Sequence, residues 1–143
     1  MPVRPARAED RDEVLAMMAR LWPEGEDFPF VPELLFVWER PEGGPGGFAS
    51  FSVRPFVDGC DSMPCPHLEG WWVEPDLRRQ GIGTALVAAV EQWARERGFT
   101  ELGSDTELTN GLSLAVHPRL GFEPTEQIQY FRKRLSPEGE DAG

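Results

Sequence analysis

The sequence is short of positive charge and of long apolar runs, and each shortage excludes a class of protein. Its 25 acidic residues outnumber its 14 lysines and arginines, which gives a net charge of −11. Because no surplus of cations is present to replace phosphate counterions, nucleic acid is not expected as a partner. No apolar run approaches the length of a membrane span, and no charged-then-apolar leader opens the sequence. We therefore expect a cytoplasmic protein, without a membrane partner, whose ligand carries positive charge.

Cysteine and histidine are also scarce. Cys60 and Cys65 lie in the stretch "CDSMPC", His67 follows closely, and the only other histidine is His117. A zinc site would need a fourth ligand and a second pair of ligating residues at suitable spacing. We therefore predict two unpaired thiols in or beside a loop, and no metal.

The hydrophobic pattern predicts one mixed α/β domain over residues 1–135, followed by a polar, disordered tail over 136–143. Apolar residues at helical spacing predict a helix over 8–22 and a second, clearer one over 81–97, which Gly98 ends. A short strand is expected near the N-terminus. Further strands are predicted over 33–40, 48–56, 68–74, 99–105 and 126–135, with a short helix over 109–121 between the last two.

One short stretch predicts a binding function. "RRQGIGTALV", residues 78–87, lies between a predicted strand and the clearest helix. It has no lysine, unlike a P-loop, and Leu86 occupies the third glycine position of a dinucleotide fingerprint. Free N–H groups over 80–84, the helix dipole and Arg78 or Arg79 could together hold a pyrophosphate. Taken alone, the residues fit equally well a glycine-relaxed helix start with solvated arginines.

The surrounding sequence resembles a known superfamily. "VEPDLRRQGIGTALV" is similar to the acetyl-CoA signature of the GNAT N-acetyltransferases, and "LGF" at 120–122 matches a later element of their pattern. Five further motifs resemble the aminoglycoside 6′-N-acetyltransferases: "LWPE" (21–24), "FVDGC" (56–60), "LEGWWVEP" (68–75), "SDTELTN" (104–110) and "YF" (130–131). The resemblance implies a GNAT fold, with a mixed, mostly antiparallel central sheet flanked by helices on both faces.

The resemblance also implies where the cofactor, acetyl-CoA, would bind. It places the cofactor at a splay between the central strands, with the strand segment "WWV" beside the pantetheine arm. The backbone N–H of Val73 is then a donor to the oxyanion. The implied cofactor-binding residues are Trp71, Trp72, Val73, Arg79, Gln80, Gly81, Ile82, Gly83, Thr84 and Asn110.

The acceptor site follows from the same resemblance. Glu69 and Asp105 correspond to carboxylates that bind ammonium groups of the amine and pass its proton through water. Glu126 matches a third such acid, and Trp22 an aromatic wall of the pocket. Phe56 stands where the family tends to have tyrosine. Alternation along a strand offers a simpler explanation of the acids, which is that they face solvent.

No general acid follows from the sequence. Many GNAT enzymes have a tyrosine four residues before the glycine of "LGF", and here that position is His117. The only tyrosine of the chain, Tyr130, belongs to the last predicted strand.

The expected function is transfer of acetyl from acetyl-CoA to the 6′-amine of an aminoglycoside-like polycation, by direct attack in a ternary complex. Two alternatives remain: another acceptor, such as a small amine, polyamine or peptide N-terminus, and a non-catalytic acyl-CoA-binding module. Members of the superfamily often form dimers, which leaves a homodimer open here.

Overall fold

Five strands form one sheet in the order β1-β2-β3-β4-β5. The computed structural model describes residues 2–25 and 28–137. Its strands are β1 (Val3–Pro5), β2 (Leu35–Glu39), β3 (Pro45–Arg54), β4 (Cys65–Val73) and β5 (Gly103–Ser104). Strands β1 to β4 pair antiparallel, whereas β5 joins β4 in parallel. The sheet is therefore mixed and mostly antiparallel, as predicted.

Three α-helices accompany the sheet: α1 (Arg11–Leu21), α2 (Ile82–Glu96) and α3 (Gly111–Arg119). Single 3₁₀ turns cover Ala8–Asp10, Pro32–Leu34 and Pro75–Leu77. The buried Asp10 anchors the start of α1, because its carboxylate accepts the Arg7 N–H at 2.8 Å and two guanidinium bonds from Arg4. The two longer predicted helices are confirmed to within a few residues at each end.

Alternation along β3 directs apolar side chains to both faces of the sheet. Phe48 belongs to the core cluster that also contains the α1 residues Val14, Met17 and Met18. Ala49 and Phe51 belong to the cluster that contains Leu86, Val87 and Val90 of α2. Helices therefore pack on both faces of the sheet.

A β-bulge interrupts β4 at the position of an acid. Ser50 of β3 pairs with Gly70, whereas the next residue, Phe51, pairs with Leu68, so Glu69 is the extra residue. A bulge bends a strand and redirects a side chain locally. Here it places the Glu69 carboxylate among polar side chains of β3, on the α1 side of the sheet.

The structure corrects the boundaries of two strands. Strand β4 begins at Cys65 and not at 68, so the buried residues 65–67, predicted as loop, are part of the central sheet. Strand β5 has only two residues, whereas 99–105 was predicted. Cys60 and Cys65 are unpaired, but only Cys60 lies in a loop.

The predicted last strand over 126–135 does not form. This segment has no secondary structure, and its side chains are exposed. A strand needs a neighbouring edge with which to pair, and none pairs with it in the described part of the chain. Of the predicted tail, Ser136 and Pro137 are described, and the remainder lies outside the described residues. No helix within residues 2–25 and 28–137 has the length and apolar character required to span a bilayer.

Candidate active site

The central strand β4 has one unpaired edge. β5 pairs with β4 only at His67 and Leu68, whereas β3 pairs with β4 as far as Val73. From Glu69 to Val73, the side of β4 that faces away from β3 therefore has no neighbouring strand among the described residues. An extended ligand could form strand-like hydrogen bonds with such an edge.

A cleft of about 340 Å³ lies against this edge, and we call it the glycine-loop cleft. Its walls come from the end of β4, the loop after it, the first turn of α2 and the end of α3. The lining residues are Trp71, Val73, Leu77, Arg78, Arg79, Gly81, Ile82, Gly83, Thr84, Val116, Arg119 and Leu120.

Unusual backbone angles shape the loop that enters α2. Arg79 has φ +66°, which is rare for a residue with a side chain, and Gly81 has φ +79°. Backbone turns of this kind, at the positive end of a helix, direct N–H groups toward an anion. Three arginines, Arg78, Arg79 and Arg119, add positive charge to the same cleft. Of the two interpretations of this loop, the geometry favours a pyrophosphate-binding site over a helix N-terminus whose glycines only permit the turn.

Gly83 allows the first turn of α2 to pack directly on β4. A Cβ at this position would lie 3.3 Å from Trp71 Nε1 and 3.8 Å from Val73 Cγ2. The neighbouring Arg78 has a different role, because its Nε donates to the Val73 carbonyl at 2.8 Å and its guanidinium lies 4.7 Å from the centre of the Trp72 ring. Of the two arginines proposed from sequence, Arg78 is thus partly engaged within the protein.

Most of the predicted cofactor residues meet in this cleft. Seven of the ten line it: Trp71, Val73, Arg79, Gly81, Ile82, Gly83 and Thr84. Trp72 packs instead against the core cluster on the α1 side, and Gln80 does not line the cleft. The Asn110 side chain accepts the Ser113 N–H at 3.0 Å and so caps α3. Arg119 was missed, although a basic residue in a last helical turn close to "LGF" is a sequence signal that could have identified it.

His117 lies beside the tryptophan of the glycine-loop cleft. Its ring centre is 5.3 Å from that of Trp71 and 5.2 Å from that of Phe122. Nδ1 lies 2.8 Å from the Ser113 carbonyl, which can only accept, so the network assigns the proton to Nδ1. Nε2 then accepts from the Ser104 hydroxyl at 2.9 Å. Both ring nitrogens are thus engaged.

A second cleft, of about 500 Å³, contains two of the three predicted carboxylates, and we call it the acidic cleft. It is lined by Met18, Trp22, Phe28, Pro29, Val31, Leu34, Leu35, Ser50, Phe51, Ser52, Glu69 and Asp105. Gly70 allows Trp22 to approach β4, since a Cβ there would lie 2.6 Å from the indole ring. The structure therefore brings Trp22, Glu69 and Asp105 together, whereas Phe56 and Glu126 are exposed and do not line this cleft.

Glu69 is held by three groups. The Ser52 hydroxyl donates to it at 2.6 Å, Arg54 donates to both of its oxygens at 2.8–2.9 Å, and His67 Nδ1 lies 3.4 Å away. Burial would raise the pKa of Glu69, but contacts with His67, Ser52 and Arg54 outweigh it and lower the pKa to about 2. The carboxylate stays ionised and is a weak base, and its charge is already matched by Arg54.

Asp105 is much less constrained. Its carboxylate is 72% exposed and lies 3.5 Å from His67 Nε2. His67 itself is 2% exposed and stands between the two acids. Sequence reasoning assigned His67 to a loop and gave it no part in the site. Its position two residues before Glu69 was the available signal, because alternate residues of a strand share a face.

Comparison with known proteins shows the family of this chain. Residues 7–122 match the model of the acetyltransferase (GNAT) family. The chain belongs to the GNAT acetyltransferase family. It is therefore an N-acetyltransferase by family, as predicted.

Its relatives within the family share a name. An aminoglycoside N(6′)-acetyltransferase type 1 of Klebsiella aerogenes is 42% identical, with 93% of this chain and 96% of the relative aligned. One of the same name from Salmonella typhimurium is 35% identical, over 94% and 99%. The crystal structure of AAC(6′)-Ih from Acinetobacter baumannii has a TM-score of 0.83 at 33% identity, covering 94% of this chain and 98% of that one.

A further solved relative supports the fold. AAC(6′)-Iy, in complex with a bisubstrate analogue, CoA-S-monomethyl-acetylneamine, has a TM-score of 0.79 at 33% identity, covering 93% of this chain and 97% of that one. This agreement confirms the predicted GNAT fold.

Proposed function

We propose that the protein transfers acetyl from acetyl-CoA to the 6′-amino group of an aminoglycoside, by direct attack in a ternary complex. The observation that carries this proposal is the presence of two unlike clefts beside one strand. The glycine-loop cleft offers backbone N–H groups and arginines to an anion, and the acidic cleft offers carboxylates to a cation. The relatives at 35–42% identity are named for the same activity.

The residues of the glycine-loop cleft fit acetyl-CoA. The loop over 79–84 would hold the pyrophosphate, with Arg79 and Arg119 adding charge. The unpaired edge of β4 would hydrogen-bond the pantetheine arm like an added strand, and the Val73 N–H would stabilise the oxyanion. Acetyl-CoA supplies the activated acyl group as a thioester.

The acceptor amine must lose a proton before it attacks. An amine of pKa about 10.4 is cationic near neutral pH, and the Glu69 pKa of about 2 makes this acid a poor direct base. Asp105 therefore binds the ammonium group, Glu69 adds negative potential, and the proton leaves through water. Holding both reactants beside β4 supplies much of the rate enhancement.

Thiol release with a panel of acceptors tests the proposed reaction. We expect turnover with an aminoglycoside that has a 6′-amine and none with its 6′-hydroxyl analogue, because the hydroxyl analogue lacks the nucleophile. A polyamine and a peptide N-terminus complete the panel. Equal rates with the polyamine would assign a different acceptor, and tight acetyl-CoA binding without turnover on any amine would indicate a binding module. A cytoplasmic location, where acetyl-CoA is available, is part of this proposal.

We also propose that two copies of the chain associate. The segment over 126–135 exposes Ile128, Tyr130, Phe131 and Leu135 by 50–90%. Its sequence has the alternation of a strand, yet it pairs with nothing within the described chain. Exposed apolar surface of this kind is typical of an association site. Light scattering after gel filtration should give a dimer, and deletion of residues 126–143 should give a monomer; a monomeric full-length chain would refute the proposal.

A further inference from the structure

We propose that His67 is a positioning residue that holds the Asp105 carboxylate in the acidic cleft. His67 lies in the interior of the sheet, paired with Ser52 of β3 and with Gly103 of β5, and it is 2% exposed. A buried imidazole is costly unless its nitrogens have polar partners. Here the two nitrogens face two carboxylates, with Nδ1 3.4 Å from Glu69 and Nε2 3.5 Å from Asp105.

The two acids differ in how much they depend on this ring. Glu69 is fixed by the Ser52 hydroxyl and by Nε and Nη2 of Arg54, independently of His67. Asp105 follows β5, which ends at Ser104, and makes no other hydrogen bond or ion pair among the described residues. The Asp105 side chain is 72% exposed. His67 is thus the one charged or hydrogen-bonding partner of the Asp105 carboxylate among the described residues.

The geometry also explains why the position of the His67 ring is fixed. Strand pairing on both sides restrains its backbone, and complete burial restricts its rotamer. Nδ1 lies 3.4 Å from Glu69, outside hydrogen-bond geometry, and Nε2 faces the Asp105 carboxylate at 3.5 Å. The Nε2 side of the ring is therefore the side that bears on the acceptor amine, through Asp105. This inference rests on the proposed function for its effect on catalysis, but the contact itself does not.

Two amide substitutions separate the nitrogens. The amide nitrogen of glutamine has the same position along the side chain as Nε2, and that of asparagine corresponds to Nδ1. His67→Gln should therefore retain the donor to Asp105 and keep KM for the aminoglycoside within about threefold of wild type. His67→Asn and His67→Phe should lose that donor and raise KM about tenfold, with a smaller change in kcat. Acetyl-CoA affinity, measured by calorimetry, should be unchanged in all three variants. An unchanged affinity would also show that each variant is folded.

A double-mutant cycle then tests whether His67 acts through Asp105. In an Asp105→Asn background, His67→Phe should change kcat/KM less than twofold, because the group that it positions is already lost. Equal behaviour of the asparagine and glutamine variants, or effects of His67→Phe and Asp105→Asn that multiply, would overturn the proposal.

The same cycle, measured on urea unfolding, does not depend on the acceptor. If the wild-type enzyme acetylates no aminoglycoside, the proposed function fails. Non-additive unfolding midpoints for His67→Phe and Asp105→Asn would still support the contact between the two residues, and additive midpoints would refute it.

Discussion

The two clefts beside β4 are built in different ways. The glycine-loop cleft is made largely from backbone: an unpaired strand edge, positive φ angles at Arg79 and Gly81, and the first turn of α2. The acidic cleft is made from side chains that come from α1, β3, β4 and the segment after β5. Its lining residues are separated by up to 87 residues in sequence, from Met18 to Asp105.

This difference has a physical consequence for each ligand. An anion site made of backbone N–H groups is formed by local turns, so a single side chain contributes little to it. A side chain matters there mainly when it would block the approach of the ligand to the backbone. A charged pocket depends on single carboxylates and on the groups that hold them, so one substitution removes a large part of it. We therefore expect substitutions in the acidic cleft to have the larger and more selective effects.

The largest effect on catalysis is expected from Asp105→Asn. The variant keeps the shape of the side chain but removes its charge, which, unlike the charge of Glu69, is not matched by Arg54. We therefore expect kcat/KM for the aminoglycoside to fall by about 5–150-fold, or about 1–3 kcal/mol. Affinity for acetyl-CoA should not change. Asp12→Asn, at a carboxylate that is 92% exposed and lines neither cleft, is the matched control and should leave kcat/KM as it is. Unchanged kinetics in both variants would mean that Asp105 only faces solvent.

Two glycines at positive φ, one in the glycine-loop cleft and one outside it, provide a matched pair. Gly81 has φ +79° and lines the cleft, whereas Gly98 has φ +83° and lies just beyond α2; a Cβ added to either would meet no other atom within 4 Å. Alanine at either position should cost about 1–2 kcal/mol of stability, because side chains disfavour this conformation. Only Gly81→Ala should also weaken acetyl-CoA binding, by about tenfold in Kd.

Calorimetry with acetyl-CoA measures this second effect. Gly83→Val should act in the same direction, since its side chain would meet Trp71. Equal losses of affinity in the Gly81 and Gly98 variants would show that general destabilisation, and not the pyrophosphate-binding site, is responsible.

Asp10→Asn tests how α1, which forms one wall of the acidic cleft, is held in place, and leaves the charged groups of the cleft unchanged. Asp10 is 2% exposed and accepts bonds from Arg4 and from the Arg7 backbone, so it ties the start of α1 to β1. These contacts hold the pKa of Asp10 below its usual range, mainly through the hydrogen bond from Arg4. We expect the variant to lose about 1.5–3 kcal/mol of unfolding free energy in urea. A loss as small as that of Asp12→Asn would show that the Arg4–Asp10 pair is not needed to fix α1.

The smallest effect is expected from Glu69→Gln, and it depends on pH. The pKa of Glu69 is about 2 in the folded protein against a usual 4.5, so its contribution is present above about pH 4.5 and is lost as the pH falls toward 2. Because this carboxylate is partly exposed, we expect only about 0.5–1 kcal/mol. Urea unfolding of wild type and variant should differ at neutral pH and converge in acid. A difference that persists in acid would assign the stabilisation to packing.

In the same variant, kcat/KM for the aminoglycoside should fall less than in Asp105→Asn, because Arg54 already matches the charge of Glu69. A larger fall in Glu69→Gln would reverse the ranking of the two acids.

The strands show where reasoning from sequence succeeded and where it did not. The pattern predicted β2, β3 and the body of β4, since alternation and turn residues mark them. It missed the start of β4, because "CPH" contains a proline and no alternating apolar pattern, although β3 and β5 bury these residues. It predicted a strand over 126–135 from composition, but pairing needs an edge that the described chain does not supply.

The predictions about the site also divide into those confirmed and those still untested. Family, fold, cofactor and acetyltransferase activity followed from short motifs and are confirmed by the comparisons. The individual site residues stay predictions, as do the domain limits and the dimer. Of the acceptor residues, Trp22, Glu69 and Asp105 share a cleft, whereas Phe56 and Glu126 do not.

The sequence by itself determined the parts of this protein that depend on neighbours along the chain. These parts are the helix that starts after Gly81, the glycine loop before it and the order of the elements, because local turns and periodicity encode them. Tertiary structure decided which carboxylates of the acidic cleft are paired with an arginine and which are not. Only the pairing of β3 with β4, and the bulge within it, brings Arg54 to Glu69, and only the short contact of β5 with β4 brings Asp105 to His67. Electrostatic pairing acts through space over a few ångströms, so residues distant in sequence set the chemistry of this site.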